Sequence, residues 1–162
     1  MPESLDLYNP TAASLDRETR FADDPRRPHR SRVETAALLI GRAIFGGYFV
    51  YNAVNHFKNI EAMSQYTKSK DVPAAKLAVA LSGAMIGAGG LSVITGVKPK
   101  VGASLIAGFL LGVSPVMHAF WQQNDQQQKM NEMIHFSKNM AMLGGAMLTA
   151  AAPEPWPVAI NA

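Results

Sequence analysis

The chain has 162 residues, fifteen Lys and Arg against twelve Asp and Glu, a formal net charge of +3, and 48% hydrophobic residues. It contains no cysteine, which excludes disulfides, thiolate metal ligands and a cysteine nucleophile from its own chemistry. The basic residues form no long run and carry no interleaved aromatics, so no nucleic-acid partner is expected.

These averages conceal two regimes. Residues 1 to 34 hold six of the fifteen basic residues and seven of the twelve acidic ones, so the rest of the chain is far more apolar than the mean. Pro2, Pro10, Pro25 and the Asp23-Asp24 pair, with no helical apolar periodicity, predict a disordered polar tail. It ends in a basic juxtamembrane segment, Arg26, Arg27, Arg30 and Arg32, suited to anionic lipid headgroups. Pro28, His29 and Arg30 follow the Arg26-Arg27 pair where a twin-arginine signal needs apolar residues. The first apolar window starts too late and runs too long for a cleavable signal, so none is expected.

Four apolar windows follow. Thr35–Phe57 carries a single charge, Arg42; Leu77–Val97 and Val101–Trp121 carry none; Met133–Ala152 carries only Lys138. Each spans about 20 residues, enough at about 1.5 Å rise per residue to cross a hydrocarbon core of roughly 30 Å. Amphipathic helices of soluble bundles show a charged face at every turn, and these windows do not. The prediction is an all-α integral membrane four-helix bundle, antiparallel and up-down, over residues 35–152. Pro153, Pro155 and Pro157 end the last helix and lead a loosely structured Pro-rich tail, residues 153–162. Arg26, Arg27, Arg30, Arg32, Lys98 and Lys100 fall on one side of this topology, against Lys58, Lys68, Lys70, Lys76 and Lys129 on the other. The positive-inside rule then places both termini in the cytoplasm.

Lipid is as apolar as leucine, so membrane helices associate where small residues let backbones approach. The candidates are Gly83, Gly87 and Gly90 on the second span, Ser104, Gly108 and Gly112 on the third, and Gly144 and Gly145 on the fourth, with Gly41, Gly46 and Gly47 on the first. Pro115 cannot donate to the carbonyl of Leu111, so a kink is expected across residues 111–115. The nine methionines read as packing residues. Arg42 reads as a structural anchor, by snorkelling or by hydrogen bonding to carbonyls of neighbouring helices.

The polar residues of the windows gather at one end. In an antiparallel four-span bundle, the end of the first span, the start of the second, the end of the third and the start of the fourth share one membrane side. Tyr48, Asn52, Asn55 and His56, then His118 and Trp121, then His135, Lys138 and Asn139 all fall toward that side. The four on the first span lie within roughly 100° of one another on a helical wheel. Ionisable residues inside spans are costly and usually face a cavity or a partner, which predicts a shared polar mouth. No H-E-x-x-H or H-x-x-E-H spacing occurs, so no metal site is expected. No carboxylate lies within the windows, Glu34 and Glu132 being the nearest, which argues against a carboxylate proton relay. A lysine with histidines, asparagines and aromatic rings suits a small anion or a quinone headgroup, with Lys138 supplying charge, His118 and His135 hydrogen bonds or proton exchange, and Asn55 and Asn139 orientation.

Residues 35–152 resemble the DoxX family of small four-helix membrane proteins, which includes the DoxD-type subunit of thiosulfate:quinone oxidoreductase. The resemblance rests on Gly41-Arg42 and Phe45-Gly46, Tyr66 and Val72-Pro73, Gly90 and Gly96, His118 with Phe120-Trp121, and Lys138-Asn139 followed by Gly144-Gly145. Ala119 stands where the family's His-Pro-Phe-Trp string has proline, and Ile86 where many members have a glutamate. The resemblance implies a membrane component of a redox or oxidative-stress system in the bacterial inner membrane, an accessory subunit more than a self-sufficient enzyme, that serves quinone access or holds soluble redox partners at the bilayer. The alternative from the residues themselves is a non-catalytic scaffold whose loops and basic tail recruit soluble enzymes.

Overall fold

The computed structural model of the protein describes residues 31–160. Of the polar tail expected to be disordered, residues 1–34, the part up to residue 30, with the arginines at 26, 27 and 30, lies outside the described residues, and residues 32–34 are helical. Among the described residues there are five α-helices and one 3-10 turn: α1 Arg32–Lys58, α2 Ile60–Lys68, α3 Ala75–Thr95, α4 Pro99–Met117, the turn Phe120–Gln122, and α5 Gln126–Ala151. The all-α class holds, with no strand among the described residues. α1 begins three residues ahead of the apolar window because Ser31 and Glu34 form a reciprocal cap: the Ser31 hydroxyl accepts from the Glu34 amide at 3.2 Å, and Glu34 accepts from the Ser31 amide at 2.7 Å. Asp125 caps α5, its side chain accepting from the Gln128 amide at 2.8 Å.

α1, α3 and α4 with the turn that follows it are long and apolar enough to cross a membrane. α5 has 26 residues, ample length, but its first half carries His135, Ser137, Lys138 and Asn139 and is correspondingly less apolar. A three-residue link joins α3 to α4. Gly96 ends α3 at φ 75°, a conformation that favours glycine, and Pro99 opens α4 at the position where a missing N–H costs nothing. So short a link forces the two helices antiparallel.

The core follows from close backbone approach. A Cβ on Gly90 would lie 2.6 Å from the carbonyl oxygen of Gly46, and one on Gly46 would lie 2.7 Å from that of Gly90. Gly83 and Gly87 face His56 and Ala53 in the same α1–α3 seam. α4 meets α3 at Gly102 and Gly89, where an added Cβ would come within 2.8 Å of the other residue's carbonyl. The expected contact stripe on α4 is thereby corrected. Gly112 has nothing within 4 Å of an added Cβ, and Gly108 meets only the end of the Met85 side chain at 3.2 Å. The reason is helix rotation: Ala103, Ile106, Leu110 and Ser114 face inward, which turns positions 104, 108 and 112 away. On α5, Gly145 lies against the Phe45 ring, whereas Gly144 has open space. α4 remains helical through residues 111–115 and ends two residues after Pro115; there the Ser114 hydroxyl donates to the Leu110 carbonyl at 2.5 Å.

Arg42 binds the opposite end together. It is 4% exposed and donates to the carbonyls of Val93 at 3.0 Å, Ile94 at 2.5 Å and Pro157 at 2.7 Å. Its guanidinium also lies 5.2 Å from the centre of the Trp156 ring. Trp156 is 5% exposed within the core, and the Ile160 amide donates to the Thr95 carbonyl at 3.1 Å. The C-terminal segment is therefore folded under the bundle, a correction to the loose tail expected from its prolines. Arg42→Met removes the donors of three carbonyls at once and is expected to cost about 3 kcal/mol in mixed-micelle unfolding and to expose residues 153–160 to proteolysis. Gly90→Val is expected to cost about 3 kcal/mol or more by forcing α1 from α3, while Gly112→Val stays within about 0.5 kcal/mol by the same assay.

Candidate ligand pocket at the polar end

Opposite the Arg42 end, the bundle opens into a cavity of about 440 Å³. Its walls are mainly apolar: Phe49 from α1, Ile86 from α3, Phe109, Leu110 and Val113 from α4, and Met142 from α5. Tyr48, Asn52 and His56 bring polar groups from α1, His118 from the end of α4, and Lys138 and Asn139 from α5. These positions are far apart in the chain and meet because the antiparallel order puts the relevant helix ends together. The cavity's roof is α2, which contributes Ala62, Met63, Tyr66 and Thr67. This helix lies between the apolar windows, and its signal in the sequence is Ile60, Met63 and Thr67 at helical spacing. An exposed Lys76–Glu61 ion pair ties α2 to the start of α3.

Hydrogen bonds decide which polar atoms remain free. Nδ1 of His56 lies 2.8 Å from the Asn52 carbonyl, which can only accept, so Nδ1 carries the proton. The Asn52 amide nitrogen donates to the Tyr48 carbonyl at 2.7 Å, leaving its side-chain oxygen. Nζ of Lys138 lies 3.3 Å from Nδ1 of His135. Asn139 is 7% exposed, and among the described residues its amide has no hydrogen-bond partner in the protein. Its donors and acceptor are left to whatever occupies the cavity.

Three expected site residues lie outside the lining. His135 stands beside it, stacked on His118 with ring centres 5.1 Å apart. Asn55 accepts from the Asn59 amide at 2.6 Å, bracing the break between α1 and α2. Trp121 is 52% exposed and packs edge-on against Phe120 and Phe136, a position suited to a membrane interface.

Glu132 is the residue that sequence reading passed over. It sits one position before the last apolar window, and its Oε2 accepts from Nδ1 of His118 at 2.7 Å. Oε1 faces Lys70 at 3.6 Å and the Tyr66 hydroxyl at 3.5 Å. Burial alone would raise the Glu132 carboxyl; the His118 hydrogen bond and the charges of Lys70, His118 and His135 outweigh it and hold the group below the usual carboxylate range. The available signal was helical spacing, since Glu132 precedes His135 by three residues and shares its face. No group of three or more metal-ligating side chains occurs among the described residues.

A family model for DoxX matches residues 37–119, just over half of the chain. The chain belongs to the DoxX family. No curated protein and no solved structure matched it significantly. The DoxX match ends at Ala119, so His118 falls inside it and Glu132, His135, Lys138 and Asn139 outside. In this DoxX protein Ile86 is fully buried behind the cavity, and the carboxylate nearest the pocket histidines is Glu132 from another helix.

Because the folded-state value of Glu132 is depressed, its contribution to stability is complete at neutral pH. It drains away as pH falls from the ordinary carboxylate value, about 4.3, through the lower folded value. Glu132→Gln is expected to cost about 1 kcal/mol at neutral pH and to flatten this acid limb when thermal unfolding in detergent is followed against pH.

Proposed function

We propose that this DoxX protein is a membrane component of a redox or oxidative-stress system that holds the headgroup of a quinone in the pocket beneath α2. In this reading α5 crosses the bilayer with α1, α3 and α4, both termini lie in the cytoplasm, and the membrane is the bacterial inner membrane. The observation that carries the reading is Asn139: an almost fully buried, unpartnered amide in a largely apolar cavity. Its side-chain atoms open on the cavity, where a hydrogen bond to an acceptor-bearing ligand contributes about 0.5–1.5 kcal/mol.

The other residues fit the same ligand. A quinone head is planar and apolar on its faces, with carbonyl acceptors at its edges, matching walls of Phe49, Ile86, Phe109 and Leu110 beside donors on Lys138 and Asn139. Lys138 gives a positive charge where an electron-rich oxygen would lie, with no carboxylate among the lining residues to cancel it. His118 has Nδ1 committed to Glu132, which fixes its tautomer and leaves Nε2 as the ring's other polar atom. A small inorganic anion fits less well, because most of the wall offers it no partner.

Mass spectrometry of the protein extracted gently from its native membrane tests the proposal. Stoichiometric quinone is expected, reduced about tenfold or more by Lys138→Ala or Asn139→Ala, the scale of one lost hydrogen bond to a charged or buried group. Soluble enzymes recovered without any small ligand would instead make the protein a scaffold.

A further inference from the structure

Beside the pocket lies a larger cavity, about 630 Å³, between the outer faces of α3 and α4, closed at the polar end by the loop that carries Lys70 and Asp71. Leu81 and Met85 form one bank, Gly108, Gly112 and Val116 the other. Leu81 is 61% exposed and Val116 46%, and both stand inside apolar windows, so in a bilayer this groove opens on lipid. Its shape comes from uneven helix packing. α3 and α4 touch backbone to backbone at Gly89 and Gly102, whereas toward the polar end Gly112 has nothing within 4 Å of an added Cβ.

The two cavities adjoin across a shared wall. His56, Met63, Thr67, Phe109, Val113 and Met117 line both. The sill is formed by an edge-on His56–Phe109 contact, ring centres 6.2 Å apart, flanked by Met63 and Met117, unbranched side chains that change rotamer at low cost. A groove open to lipid that adjoins an amide-lined pocket across this wall suits one class of occupant: an amphiphile with a polar head and a long alkyl or isoprenoid tail.

We infer that the α3–α4 groove is the lateral port of the pocket, through which a lipophilic ligand enters from the bilayer and in which its tail remains. This rests on the headgroup reading above. Lipid already solvates the tail, so the groove contributes little transfer energy. It acts through shape, letting the head reach Lys138 and Asn139 while the tail stays in hydrocarbon. Tail selectivity is therefore the signature: filling the groove excludes tailed ligands and spares tailless ones.

The test uses the full chain in phosphatidylcholine nanodiscs, titrated calorimetrically with a tailless methoxybenzoquinone and with its decyl homologue. The native protein is expected to bind both. Gly112→Trp, placed in the groove's open space, is expected to weaken the decyl compound about tenfold or more and to change the tailless one by less than about twofold. Gly144→Trp, in open space on α5 outside both cavities, should leave both affinities unchanged. A decyl compound bearing a diazirine at its tail end should label Leu81 and Met85. Equal effects of Gly112→Trp on the two ligands, or labelling confined to α1 and α5, would overturn the port and leave the pocket standing. Failure of the native protein to bind either compound would overturn the headgroup reading itself, and the port with it.

Discussion

The fold hangs on the guanidinium of Arg42. In hydrocarbon the last carbonyls of a helix have no water to accept from, and those of Val93 and Ile94 lie at the end of α3 where no further turn supplies donors. One planar, permanently charged group with five N–H donors satisfies both and reaches the Pro157 carbonyl as well. It joins α1, α3 and the C-terminal segment, and Trp156 shields it. A charge that would be costly alone becomes the joint of that end of the bundle.

With that end closed and Gly46 locked on Gly90, the bundle has little freedom there. At the other end α1 and α3 still touch at Gly83 and Gly87, and the pocket opens between that seam, α4 and α5, with the groove between α3 and α4. The division follows from residue size. Glycines at 46, 89, 90 and 102 permit backbone contact, whereas Phe49, Phe109 and Met142 hold the helices further apart. The polar residues sit at the open end.

Glu132 organises that open end. Its two oxygens engage His118 on one side and Lys70 on the other, so a loop, the end of α4 and the start of α5 are tied by one carboxylate. The stacked His118–His135 pair and the Lys138–His135 contact extend the arrangement to the pocket wall.

Much of the architecture was legible from the chain alone. Charge-free windows mark helices, because a charge exposed to lipid is costly wherever it occurs. The gathering of Tyr48, Asn52, His56, His118, Lys138 and Asn139 at one end followed from window order and antiparallel topology, with no knowledge of side-chain contacts. What the sequence could not decide was rotation and distance. Gly112 and Gly102 are both small residues on α4, and only packing shows that Gly102 meets α3 while Gly112 faces open space. Glu132 lies outside every apolar window, and its approach to His118 depends on how α5 leaves the turn at Phe120–Gln122. α2 and the buried Trp156 are short, polar-flanked or proline-flanked pieces whose order comes from the bundle they cover. Local composition determined which segments are helices and which end is polar, because solvation energy is a property of each residue; tertiary packing decided which faces touch and where the bundle stays open, because contact is a property of pairs.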